Sequence, residues 1–116
     1  MKIRDILEKL EGVTIYVEAG ENVEIARGFA GDLLSFVMGS APERALWVTI
    51  QNHVNVAAVA LLKEVPLILL ASGRIPSPEL RDQCQREGIA LASIEMDSFE
   101  VCGRLHAMGV RNGSKG

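Results

Sequence analysis

Aromatic residues and basic stretches are scarce in this sequence, and their scarcity argues against the common modes of nucleic-acid binding. Aromatic residues make up 4% of the 116 residues, and the formal net charge is −3. A nucleic-acid-binding domain needs a basic patch that neutralises phosphates, and single strands also need exposed rings on which bases stack. We therefore expect no nucleic-acid partner.

Long apolar runs are also missing. No run approaches the roughly 18–20 residues of a membrane-spanning helix. The first six residues have mixed charges at helical spacing, which is not the pattern of a signal peptide. The two cysteines, Cys84 and Cys102, are far apart and form no CxxC pair, so a disulfide framework is not expected. These features predict a cytoplasmic protein with no membrane partner.

Motifs for metal binding and nucleophilic catalysis are lacking as well. His53 and His106 are far apart, and neither has a second ligand at the spacing of a metal site. We expect no metal, no cofactor and no catalytic residue. Cys102 is predicted to be a core thiol and Cys84 to lie near the surface of its helix.

The sequence does contain a regular alternation of short apolar runs with helical patterns, which predicts βαβ units. The expected fold class is α/β, a three-layer α/β/α domain with a small, largely parallel sheet. Residues 1–110 are predicted to form one domain, and residues 111–116 a flexible polar tail. The predicted strands cover residues 13–17, 23–30, 45–50, 67–71 and 89–94.

Start and stop signals mark the predicted helices. Asp32, Ser77 and Asp97 stand at positions that favour an N-cap, while Gly39 and Gly88 mark helix ends. The predicted helices run from residues 3 to 10, 33 to 38, 54 to 63, 78 to 88 and 98 to about 109.

The most informative stretch is Trp47–Leu62, where a strand leads into polar residues and then into a helix that is apolar on every face. Residues just past the end of a parallel strand gather at the carboxyl edge of the sheet, where α/β proteins bind ligands. A helix N-terminus at that edge favours an anionic group. The candidate ligand-binding residues here are Thr49, Gln51, Asn52 and His53. The alternative is that Asn52 merely caps the helix and His53 is a surface residue.

The loop around Gly28–Asp32 is a second candidate, because two glycines before a helix can let a phosphate approach the backbone. Asp32 and Ser35 are expected to face the same cleft as His53. The alternative is that Gly28 serves a turn and Asp32 a cap.

The segment Ser72-Gly73-Arg74, after the most apolar strand, is the third candidate. An arginine there can clamp a phosphate or carboxylate through its fork of donors. The alternative is a turn that leads into the Ser77 cap and leaves Arg74 in solvent. The three loops converge only if their strands are neighbours in the sheet.

The apolar helix 54–63 also predicts an interface. One of its faces packs on the sheet, and the rest needs a cover from another helix or from a partner. We expect a homodimer.

The order of several motifs resembles that of the DRTGG domain family, which is related to the N-terminal domain of bacterial HPr kinase/phosphorylase. The stretches that carry the resemblance are Gly28–Ser35, Trp47–His53, Ser72–Pro76 and Asp97–Glu100, followed by Gly103–Leu105. The resemblance implies an α/β/α domain with a regulatory or ligand-binding role, which stands alone or accompanies modules such as CBS pairs. The sequence differs from the family in the DRTGG motif itself. Asn22 and Val23 stand where the family usually has Asp-Arg, and Arg27 stands where it has its first glycine.

A kinase function does not fit the sequence. Phosphoryl transfer requires a loop that cradles phosphate, such as GxxxxGK[ST], and Gly113-Ser114-Lys115 is only a fragment of such a motif in the tail. The first hypothesis is therefore a non-catalytic regulatory module that senses a small anionic ligand or nucleotide and acts through a partner protein. The alternative is a purely structural protein-interaction domain without a ligand.

Overall fold

Five helices and five strands follow one another along the chain in the computed structural model, which describes residues 1–113. The helices are α1 (Ile3–Lys9), α2 (Leu34–Ser40), α3 (Asn55–Leu62), α4 (Pro78–Glu87) and α5 (Ser98–Ala107). The strands are β1 (Val13–Val17), β2 (Gly28–Ala30), β3 (Leu46–Thr49), β4 (Leu67–Leu70) and β5 (Ala90–Ile94). The predicted alternation of strands and helices is confirmed.

The five strands form one sheet in the order β1-β5-β4-β3-β2. Strands β2 to β5 are parallel to their neighbours, and β1 is antiparallel to β5. Because β2, β3, β4 and β5 follow one another in a single direction, right-handed crossovers place the three connecting helices on the same face. Helices α2, α3 and α4 cover that face, and α1 and α5 cover the other. The predicted three-layer α/β/α architecture is confirmed.

Strand β4 lies in the centre of the sheet and is buried on both faces. Leu67 and Leu69 pack towards α1 and α5, whereas Ile68 and Leu70 pack towards α3 and α4. Side chains of a strand alternate between the faces, so a strand that is covered by helices on both faces favours an apolar residue at every position.

Strand β2 is shorter than the predicted strand 23–30. Its first half leaves the sheet because the N-terminus competes for it: the Ile25 N–H donates to the Met1 carbonyl at 2.6 Å, and Lys2 bridges Glu24. Ile25 is buried by this contact. The apolar pattern of residues 23–25 therefore reflects burial beside the N-terminus.

The C-terminal segment covers the outer side of β2. The Gly28 N–H donates to the Arg111 carbonyl at 2.8 Å, and the Asn112 amide approaches the Gly28 carbonyl at 3.4 Å. The start of the predicted tail is thus held against the sheet. Residues 114–116 of that tail lie outside the described part of the chain.

Two predicted helix caps are confirmed and one is wrong. The Ser77 hydroxyl accepts the Leu80 N–H at 3.1 Å, and the Asp97 carboxylate accepts the Glu100 N–H at 2.9 Å. Helix α2 is instead preceded by Leu33 and has no side-chain cap, because the Asp32 carboxylate is engaged elsewhere. The same helix continues through Gly39 to Ser40, so the predicted stop at Gly39 is also wrong.

Most of the apolar surface of α3 is covered within the chain. Val56, Ala57, Val59 and Ala60 are buried in the layer that also contains α2 and α4. Leu61 and Leu62, at the end of the helix, remain 50% and 65% exposed. The domain itself therefore supplies much of the cover that the apolar pattern requires. No helix of residues 1–113 has the length and apolarity needed to cross a membrane.

The prediction for Cys84 is wrong, and Cys102 is only partly buried against the core in which it was predicted to lie. Cys84 is fully buried on the inner face of α4, and burial raises its pKa to about 11. Cys102 is half-buried, and burial raises its pKa as well. The prediction failed because the few apolar residues of α4 do not reveal which side of the helix meets the sheet.

We predict that the two thiols differ in reactivity. With a pKa near 11, roughly one Cys84 in a thousand is a thiolate at pH 8. A Cys102→Ser variant, which keeps only Cys84, should react with a thiol reagent such as DTNB only as fast as it unfolds. The matched Cys84→Ser variant should react faster under native conditions. Equal native rates in the two variants would contradict the buried position of Cys84.

Candidate functional site

The three candidate loops converge at one edge of the sheet. Strands β2, β3 and β4 are adjacent and parallel, so the residues that follow them lie side by side at their carboxyl ends. The condition set by the sequence is met. The structure shows how the polar groups at this edge are used.

The Asp32 carboxylate joins the loop after β2 to the end of β3. Its Oδ1 atom accepts a hydrogen bond from Thr49 Oγ1 at 2.8 Å and one from the Ile50 N–H at 2.9 Å. Thr49 is fully buried, and a buried hydroxyl without a partner is costly. The main role of Asp32 and Thr49 in this chain is therefore to fix two loops to each other.

Gln51 strengthens the same connection. Its side-chain amide donates to the Asp32 carbonyl at 2.9 Å, and its backbone N–H donates to Thr49 Oγ1 at 3.1 Å. On the same face of β3 as Thr49, the Trp47 indole N–H donates to the Gly31 carbonyl at 2.9 Å. The loop after β2 is held by side chains of β3 and the segment that follows it.

Asn52 connects β3 to the loop after β4. Its amide donates to the Ile75 carbonyl at 2.6 Å, and its Oδ1 atom lies 3.4 Å from Arg74 Nη2. Its backbone carbonyl accepts the Ser77 N–H at 2.9 Å. Asn52 therefore does not cap α3, and it sets the position of the Arg74 side chain instead.

Ser72 and Gly73 form a tight turn at the end of β4. Both have positive φ angles, 59° and 65°, and the Arg74 N–H closes the turn on the Ala71 carbonyl at 3.2 Å. The Ser72 N–H is bound to the Met96 carbonyl and the Gly73 N–H to the Ile94 carbonyl. These amides are occupied, so what the turn offers a ligand is Arg74.

The N-terminus of α3 has backbone donors to spare, and so does the start of α2, which also lacks a side-chain cap. Val54 precedes the helix and provides no side-chain cap, and the first turn contains no acidic residue. Within residues 1–113, the N–H groups of His53, Val54 and Asn55 donate to no other group. Such donors, together with the helix dipole, attract an anion.

Ser35 is the candidate that the structure does not join to the others. It lies in the first turn of α2 and is exposed. No hydrogen bond connects its hydroxyl to Asp32 or His53 within the described chain.

Glu95 follows β5 at the same edge and was not among the predicted ligand-binding residues. A Cβ atom on Gly73 would lie 3.3 Å from the Glu95 carboxylate, so this acid packs directly against the turn after β4. The chain leaves β4 towards α4 and β5 towards α5, on opposite faces of the sheet. Ligand crevices of open α/β sheets form where neighbouring loops diverge in this way. The position of α5 on the second face, invisible in the sequence, was the missing signal.

The edge is an open surface more than an enclosed pocket. A cavity of about 230 Å³ lies instead between β2 and α5, where Phe29, Cys102, His106 and Arg111 contribute to its lining. Another, of about 310 Å³, touches the edge only through Ile75. Within residues 1–113, no cluster of three His, Cys, Asp or Glu side chains is arranged to hold a metal ion.

The fold of this chain is similar to that of a regulatory region of known structure. The chain is similar to the crystal structure of the CBS and DRTGG domains of the regulatory region of Clostridium perfringens pyrophosphatase, in complex with the activator diadenosine tetraphosphate. The TM-score is 0.72 at 17% sequence identity. The match covers 94% of this chain and 47% of the other, so this chain spans about half the length of that structure.

At this identity the likeness shows the fold alone. It supports a DRTGG-like α/β domain and lends no support to a relation with HPr kinase. No protein-family model and no curated protein matches the sequence.

We predict that the Asp32–Thr49 hydrogen bond contributes to stability. Asp32→Ala should lower the free energy of unfolding by about 1–3 kcal/mol, because it leaves a buried hydroxyl without its acceptor. In a Thr49→Val background the same change should cost about 1 kcal/mol less. Urea unfolding of the four proteins measures both values.

Ser35→Ala is the matched control on the neighbouring turn, and it should change stability by less than about 0.5 kcal/mol. Purely additive effects of Asp32→Ala and Thr49→Val would show that the two side chains are not coupled.

Proposed function

We propose that this chain is a non-catalytic, cytoplasmic regulatory module that binds a small anionic ligand at the carboxyl edge of its sheet. A nucleotide or a phosphorylated metabolite has the required chemistry. Binding changes how the module associates with a partner protein or with a second copy of itself.

The observation that carries this proposal is the uncapped N-terminus of α3 beside a positioned arginine. Helices α4 and α5 begin at the side-chain caps Ser77 and Asp97, whereas α2 and α3 begin without one. Of these two uncapped starts, that of α3 follows Asn52, to which Arg74 is hydrogen-bonded. Asn52 therefore holds Arg74 beside the free donors of α3. A phosphate or carboxylate placed there receives backbone N–H bonds and a charge-assisted bond from the guanidinium.

The other polar groups of the edge favour binding over catalysis. Asp32 and Thr49 satisfy each other, and Asn52 is committed to Ile75 and Arg74. The site thus offers hydrogen-bond donors on a rigid frame. His53 is exposed just before α3, and in this proposal its imidazole adds a further donor.

The structural neighbour supports a regulatory role in general terms. Its regulatory region was crystallised with a dinucleoside tetraphosphate activator, which is a polyanionic nucleotide. The proposal of an anionic ligand rests on the geometry of this chain alone. The proposal that the ligand regulates the protein is consistent with the fold that the two proteins share.

The second candidate function is a protein-interaction domain without a ligand. It is favoured by the exposed apolar side chains at the same edge, among which Leu33, Ile75 and Phe99 are 69%, 68% and 87% exposed. Ile75 and Phe99 follow the adjacent strands β4 and β5, and neighbouring exposed apolar groups mark protein interfaces.

We predict that an anionic ligand raises the melting temperature of the protein. A ligand at one hundred times its dissociation constant adds about 2.7 kcal/mol to the stability of the folded state. A thermal-shift screen with nucleotides, sugar phosphates and inorganic pyrophosphate should therefore yield a shift of several degrees for the correct class. The shift should be lost or strongly reduced in Arg74→Gln, and reduced in His53→Ala.

The matched control is Arg86→Gln, which removes the same charge at the far end of α4. This variant should keep the full shift. A flat response across the panel favours the interaction domain, and an equal loss in both arginine variants would mean that binding follows total charge and not the proposed site.

A further inference from the structure

The most exposed large apolar side chain of the described residues lies in the first turn of α5, shortly after β5. Phe99 is 87% exposed, and Ile75, in the loop after the adjacent strand β4, is 68% exposed. A ring and a branched aliphatic chain in water are unfavourable unless something covers them. We call two segments together the two-loop surface: residues 72–75, in the loop after β4, and residues 95–99, which run from the end of β5 into the first turn of α5.

Each half of the two-loop surface carries charge of one sign. The half after β4 contains Arg74, and the half after β5 contains Glu95 and Asp97. Within residues 1–113 the ion pairs are Met1–Glu24 and Arg44–Glu64, so none of these three groups is paired inside the chain. Opposite charges therefore stand side by side. Arg74 and Glu95 are available to an external partner, whereas the Asp97 carboxylate also caps α5.

This arrangement is self-complementary. One half offers a positive charge next to an apolar side chain, and the other a negative charge next to an apolar side chain. Consider a two-fold axis that lies in the plane of the interface, midway between the two halves and perpendicular to the line that joins them. This axis brings each half of one molecule against the opposite half of a second molecule. Isologous contacts of this kind pair every residue i with j and j with i.

We infer that the two-loop surface is an isologous interface between two copies of this chain. Arg74 of each copy faces the partner's Glu95, and Ile75 packs against the partner's Phe99. The inference rests on the proposed function for its regulatory meaning, because Arg74 belongs to both the ligand site and the interface. The self-association itself requires no ligand.

The occupant is a second copy because the surface supplies its own complement in both charge and apolarity. A surface for an unrelated basic or acidic partner would carry one sign. The outer face of α3 is the competing interface, since Leu62 is 65% exposed at the far end of that helix.

Sedimentation equilibrium of the ligand-free chain tests this inference with two matched variants. The wild type should form dimers, Phe99→Ser should weaken the dimer at least about tenfold, and Leu62→Ser should leave it unchanged. Both side chains are exposed, and thermal unfolding by circular dichroism checks that both variants fold. A wild type that stays monomeric up to millimolar concentration would overturn the inference, as would a dimer weakened by Leu62→Ser and not by Phe99→Ser.

A charge exchange tests the pairing itself. Arg74→Glu and Glu95→Arg should each weaken the dimer, and the double variant should regain most of the wild-type association. A double variant weaker than either single one would refute the proposed contact. These measurements need no ligand, so the interface can fail while the thermal shift stands, and the ligand site can fail while the dimer stands.

Discussion

The rest of this structure depends on one constraint, which is the order of the parallel strands. Each strand from β2 to β5 is added on the same side of the one before it. Strands β2 to β5 are laid down in order across the sheet, so three crossovers of one hand put three helices on one face. The other face is left to α1 and α5. The same order aligns four strand ends at one edge, and it makes the chain diverge only between β4 and β5. The site, the central strand and the diverging loops all follow from it.

The parts of this fold that could be predicted from sequence are those whose signals are local. Four consecutive apolar residues identify β4, and Ser77 followed by proline identifies the start of α4. Asp97 likewise identifies the start of α5. In each case the deciding hydrogen bond or burial lies within a few residues of the signal, and each prediction is confirmed.

The parts that could not be predicted depend on distant residues. Asp32 has the sequence context of a helix cap, but its carboxylate accepts a hydrogen bond from Thr49, which is seventeen residues away. Residues 23–25 have the pattern of a strand, but the N-terminus pairs with them first. At the candidate site, sequence located the three loops, and the structure separated the groups that hold the frame from those that face outward. Glu95 emerged only when the second face of the sheet was known.

Both ends of the described chain are anchored to the same short segment. The Met1 backbone is bonded to Ile25, and Arg111 is bonded to Gly28, three residues further on. In mechanical terms, a pull applied between these two ends meets this segment before it reaches the central sheet. A few hydrogen bonds beside β2 then carry the load, and β4 and its neighbours are shielded from it. Since β2 is only three residues long and ends next to Asp32, tension at the ends of the chain is transmitted over a short distance to the loop that frames the candidate site.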